Sequence, residues 1–106
     1  MKRTVIAGML VTMMSGHAMA VMDGNELHEQ CEANTAFALG YVVGIVDGYF
    51  FSNWKMSGKN LICFPKGSQS KQSMDIICEH IKSHPQDRHL PAGHLSLRSL
   101  VEAWPC

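Results

Sequence analysis

Residues 36–51 read AFALGYVVGIVDGYFF, from Ala36 to Phe51, and the reading of this stretch decides the fold. It is the longest apolar run downstream of the N-terminal segment, and Asp47 is its only charge. Gly40, Gly44 and Gly48 recur every four residues and so line one face of a helix. A mid-helix glycine costs about 1 kcal/mol relative to alanine. Three in register call for a compensating reason, and close approach of another helix backbone supplies one. Phe37, Tyr41, Ile45, Tyr49 and Phe50 flank the stripe with apolar bulk. These features predict the central, buried helix of a small helical domain, with the glycine face as a tight packing surface inside the domain or across a dimer. A transmembrane helix is the competing reading. The run of 16 residues is shorter than the roughly 20 a bilayer crossing needs, and Asp47 would cost about 2.5–3.5 kcal/mol at the membrane centre. No membrane insertion of the mature chain is therefore expected.

Upstream, Lys2 and Arg3 precede an apolar stretch from Val5 to Met14, and Ala18-Met19-Ala20 forms an A-x-A cleavage site. This predicts a signal peptide over residues 1–20, a mature domain over 21–106, and export to a compartment such as the periplasm. Five of the eight methionines leave with the signal, which removes any Met-rich metal site. Loss of Lys2 and Arg3 from a chain of formal net charge +0 leaves −2, a balance that does not suggest nucleic-acid binding. All four cysteines, Cys31, Cys63, Cys78 and Cys106, lie in the mature part. An even count in a short exported chain predicts two disulfides. There is no C-x-x-C, and the wide spacing does not suit zinc.

Glu26, Glu29 and Glu32 suit a helix starting near Asn25 that is free to run on into the glycine stretch. A helix is expected from about Gln69 to Ser83, with Met74, Ile77, Cys78 and Ile81 on one face and His84-Pro85 as its stop. A last helix begins near Pro91, carries Leu97, Leu100, Val101 and Trp104, and ends before Pro105. Between Gly48 and Met74 the charges are Lys55, Lys59, Lys66 and Lys71, with no Asp or Glu. A positive loop on a slightly acidic protein is a candidate docking surface, and Phe51, Trp54 and Phe64 are candidate apolar anchors within it. The alternative is a soluble loop whose aromatics belong to the core. His80 and His84 have the spacing of a metal pair, but cationic histidine also suits a helix C-terminus. Neither a catalytic arrangement nor a phosphate-binding loop stands out, so no enzyme, no metal and no cofactor are expected.

Several motifs in order resemble a known family. Tyr41-Val42-Val43-Gly44-Ile45-Val46-Asp47 is similar to its G-Y-x-x-G-x-x-D stretch, and Cys63-Phe64-Pro65-Lys66-Gly67 to its C-x-P-x-G. Gln72, His84-Pro85, Arg88-His89, Pro91-Ala92 and Pro105-Cys106 match the rest. The family is the Rap/Tai group of periplasmic immunity proteins of type VI secretion. The resemblance implies a small all-α, disulfide-bonded, often homodimeric domain of three to four helices. Its relatives block a secreted peptidoglycan amidase effector, protecting the cell that makes it. Where relatives usually carry Thr, this chain has Gln69, so the helix cap is expected at Ser68. Cys78 stands where relatives usually carry an aliphatic residue.

If the two C-terminal helices pack antiparallel, Cys63 before the first meets Cys106 after the second, and Cys31 is left to pair with Cys78. On the chain-entropy model, a loop of about 44 residues closed this way contributes about 4 kcal/mol. The favoured function is a binding protein that occludes an enzyme. A periplasmic stress protein or chaperone of similar build is the alternative.

Overall fold

The computed structural model describes residues 21–56 and 59–106, the side chains of Trp54 and Met56 excepted. The expected signal peptide, residues 1–20, lies outside the described residues. Four α-helices follow one another: α1 Gly24–Ala33, α2 Thr35–Met56, α3 Ser70–Ser83 and α4 Ala92–Ala103, with a short 3-10 turn at Pro85–Asp87. The described residues contain no strand, only isolated bridges between Asp23 and Pro91 and between Ile62 and Pro105. The fold is all-α, as expected.

Helices α1, α2 and α3 begin where a side chain satisfies an orphan backbone group, whereas α4 starts from Pro91 with no side-chain cap. At α1, Asp23 Oδ1 accepts from the Glu26 amide at 2.9 Å while Glu26 Oε1 accepts from the Asp23 amide at 3.1 Å, a reciprocal capping box. The chain does not run straight on from α1 into α2. Asn34 ends the first helix, its amide bonded to the Gln30 carbonyl, and starts the second, its Oδ1 accepting from the Phe37 amide at 3.1 Å. At α3 the cap is Gln69, whose amide donates to Gln72 Oε1 at 2.7 Å. Ser68 is not the cap, because its amide closes a turn onto the Pro65 carbonyl. Gly67 holds a φ of 85° in that turn, which explains the glycine of Cys63-Phe64-Pro65-Lys66-Gly67.

Leu27, Ala38, Val42, Ile62, Met74, Ile77, Ile81, Ala92, Leu95 and Leu100 form the buried core. Two disulfides brace it. Cys31–Cys78 ties α1 to α3 with Cα atoms 5.9 Å apart, and Cys63–Cys106 ties the segment before α3 to the end of α4 with Cα atoms 5.0 Å apart. The Cys63 amide also donates to the Trp104 carbonyl at 2.9 Å, beside the Ile62–Pro105 bridge.

At the opposite end, Arg88 is the tie point. Its Nε and Nη2 donate to the carbonyls of Ile81 and Lys82 at 2.9 and 2.8 Å, capping the last turn of α3. Its own carbonyl accepts from the Asn25 amide at 2.9 Å, so the same residue holds the start of α1. Gly24 makes this approach possible, since a Cβ there would lie 2.8 Å from the Arg88 carbonyl oxygen and 2.6 Å from Leu95 Cδ1.

The longest helix departs most from expectation. α2 has 22 residues, but within the segment 36–51 only Ala38 and Val42 are buried, while Phe37, Phe50 and Phe51 remain 46%, 49% and 62% exposed. It lies against the other helices through one face, Ala38, Leu39, Tyr41, Val42, Val46 and Tyr49, rather than inside them. At 1.5 Å per residue α2 is about 33 Å long, whereas α1, α3 and α4 have only 10, 14 and 12 residues. Three shorter helices do not surround it. The helix also extends beyond the 16-residue run: at 19 residues, Thr35–Asn53 is long and apolar enough to cross a membrane by length and composition alone, contrary to expectation.

Gly24→Ala is expected to lower the melting temperature, because the new methyl meets not only the movable Leu95 Cδ1 at 2.6 Å but also the Arg88 backbone at 2.8 and 2.9 Å. Overpacking of this kind costs about 1–3 kcal/mol. Thermal unfolding monitored by circular dichroism checks it, and an unchanged melting temperature would show that the α1 entrance is not held as described.

Candidate partner-binding face

Among the described residues nothing packs against the glycines of α2: a Cβ built on Gly40, Gly44 or Gly48 meets none of their atoms within 4 Å, and all three positions are exposed. Close helix approach inside the domain falls elsewhere, at Gly24 on α1 and at Gly93 on α4. A Cβ on Gly93 would lie 3.3 Å from Ile45 Cδ1 and 3.9 Å from the Tyr41 hydroxyl. Burial there also raises the pKa of Tyr41 above its ordinary value.

The open glycine face leads into a groove of about 420 Å³ lined by Gly44, Ile45, Gly48 and Tyr49 of α2, Leu61 and Ile62, and Leu97 and Val101 of α4. Tyr49 builds one wall. Its hydroxyl accepts from the amides of Leu61 and Ile62 at 2.9 and 3.3 Å, pinning that segment back onto α2. Asn53 Nδ2 donates to Asn60 Oδ1 at 3.2 Å and fixes the same segment one turn further along. Leu61 is thereby presented to solvent, 60% exposed. Together with Phe37, Val43, Phe50 and Phe51 it makes α2 and its return segment a predominantly apolar surface. Exposed large apolar side chains in this number on one helix and its return segment point to a contact site more than isolated single residues do.

The lysines do not form one loop. Lys55 stands in the last turn of α2 and Lys59 in the return segment. Lys66 sits in the Pro65–Gly67 turn, and Lys71 is already inside α3. Lys71 also faces an acid one turn on, Asp75, at 3.6 Å, so its charge is partly offset. Lys55, Lys59 and Lys66 are exposed.

The aromatic anchors divide. Phe64 belongs to the packed body, its ring 5.3 Å from Phe50 and 5.4 Å from Trp104, which favours the core reading for that residue. Phe51 is exposed. The side chain of Trp54 lies outside the described residues. Sequence reasoning missed Tyr49 as a strut, since a tyrosine in an apolar helix gives no sign of which distant amides its hydroxyl will meet.

Gly44→Ala separates an open face from a packed one. With nothing near the new methyl, the substitution should raise the stability of the isolated chain by up to about 1 kcal/mol through helix propensity alone. Denaturant unfolding at low protein concentration measures this, and a loss of stability would mean the face is packed within the chain after all.

A sequence model of the Rap1a immunity proteins matches residues 23–106. No curated protein and no solved structure matches the chain. The matched span runs from the cap of α1 to the terminal disulfide, taking in the Arg88 tie and both cysteine pairs. Membership carries an immunity function directed against a secreted effector, exercised through binding to that protein. The chain belongs to the Rap1a immunity protein family.

Proposed function

We propose that the mature chain is a periplasmic immunity protein of the type VI secretion class, which binds a peptidoglycan amidase effector and occludes its active site without doing chemistry of its own. The observation that carries the reading is the family match over 23–106, joined to a chain whose conspicuous surface is apolar and exposed. It works as a homodimer, with the glycine face and groove of α2 covered by the second copy. The amidase then docks on the remaining surface, including Lys55, Lys59 and Lys66, with Lys71 at its margin. Exposed lysines placed near an apolar contact steer an acidic partner and raise the association rate more than the final affinity.

The test uses residues 21–106 and peptidoglycan amidase effectors of type VI secretion. Stoichiometric addition should abolish amide hydrolysis of purified peptidoglycan. Reversal of two exposed charges in the variant Lys59→Glu/Lys66→Glu should slow association severalfold and flatten its salt dependence. The melting temperature should stay put, since exposed substitutions change stability by about 0.5 kcal/mol or less. Association at low salt equal to the parent's removes the lysines from the docking surface. Acid-dependent binding of many unrelated unfolded clients, with no inhibition of the amidase, would favour a chaperone instead.

A further inference from the structure

His80 and His84 stand one turn apart at the end of α3, and their rings stack with centroids 4.1 Å apart and planes 14° from parallel. The His80 side chain is only 9% exposed, and its Nε2 is buried with no hydrogen-bond partner among the described residues. Across the seam, α4 places Glu102 Oε1 3.8 Å from His80 Nδ1. Arg98 lies beside that carboxylate, its Nε 3.6 Å from Glu102 Oε2, and its Nη1 is 3.9 Å from Asp87 in the 3-10 turn. On α3 itself, His84 Nδ1–H donates to the His80 carbonyl at 2.8 Å, while Asp75 and Glu79 line the same groove. No three metal-binding side chains converge among the described residues.

We propose that the stacked His80–His84 pair is a proton-sensitive joint: with both rings neutral it closes the end of α3 onto α4, and acidification opens that seam. The Nε2 of His80 has no acceptor to receive the N–H that protonation would add, so the charge would be buried uncompensated on that side. Burial is the main cause that lowers the pKa of His80, and the neighbouring His84 ring and Arg98 push the same way. Glu102 and Asp87 oppose them without prevailing.

The sign follows from linkage. An unfolded histidine titrates at about 6.5, and His80 in the fold titrates lower. Between the two values the unfolded chain holds more protons, so the stabilisation is complete above the unfolded value and drains away as pH falls through the folded one. What opens is defined by the contacts. The last turn of α3 supplies the Ile81 and Lys82 carbonyls that Arg88 caps, and Arg88 also holds the start of α1. The joint therefore acts on the tie point of one end of the domain, independently of which effector is bound.

Melting curves and amide hydrogen exchange for residues 21–106 should be compared at about pH 7.5 and about pH 5.5, a window above the range where ordinary carboxylates titrate. The parent should melt several degrees lower at the acid end. Residues 79–84 and 98–103 should exchange faster there after correction for intrinsic rates. In His80→Gln the fall in melting temperature should shrink to less than half. A parent with equal melting temperatures, or a His80→Gln variant with the full fall, overturns the proposal. Should that variant not fold, ring titration by NMR in the parent decides. A His80 value below the unfolded one supports the joint, and a value at or above it overturns it.

Discussion

A helix of 22 apolar-rich residues cannot be enclosed by three helices of 10, 12 and 14 residues, and this mismatch governs the molecule. In the segment 36–51 only Ala38 and Val42 are fully buried, with Leu39, Tyr41, Val46 and Tyr49 half-buried against the core. The hydrophobic effect stabilises burial by about 25 cal/mol per Å², so the uncovered phenylalanines and the empty glycine face leave a driving force that the single chain does not satisfy. An immunity protein acts by contact, and a surface of this kind makes contact favourable.

Because α2 contributes so little to its own enclosure, the remaining helices have to be fixed by other means. At one end, the Cys63–Cys106 disulfide, the Ile62–Pro105 bridge and the Phe64–Trp104 ring contact close the chain. At the other, Arg88 joins the last turn of α3 to the first turn of α1, with Gly24 leaving room for its backbone. Cys31–Cys78 spans the middle. Cross-links between distant chain positions restrict the unfolded ensemble, which matters most in a domain too small to rely on its core alone. The His80–His84 stack sits beside the Arg88 cap, so the end without a disulfide is the one that responds to protons.

The apolar spacing of α3 was readable because Met74, Ile77 and Ile81 follow helical periodicity, and these three are buried. The stop at His84-Pro85 was readable because proline restricts the residue before it. Of the two packing partners the glycine stripe allows, the same chain or a second copy, the described residues supply neither a helix nor a side chain against it. A regular stripe at Gly40, Gly44 and Gly48 announces a packing face but not whether the packing partner belongs to the same chain. Gly24 and Gly93, which do admit neighbours, stand alone and have no periodicity to reveal them. The four lysines were grouped because they are neighbours in sequence; a helix boundary at Ser70 puts Lys71 on α3 beside Asp75. The role of Arg88 was invisible because its partners lie six and seven residues back and sixty-three residues away.

Sedimentation equilibrium of residues 21–106 in detergent-free buffer, over a wide range of concentrations, tests the central claim that α2 requires a protein cover. The account predicts a soluble species of twice the chain mass that dissociates only on strong dilution. A monomer at every concentration, or a protein that stays in solution only with detergent, would contradict it.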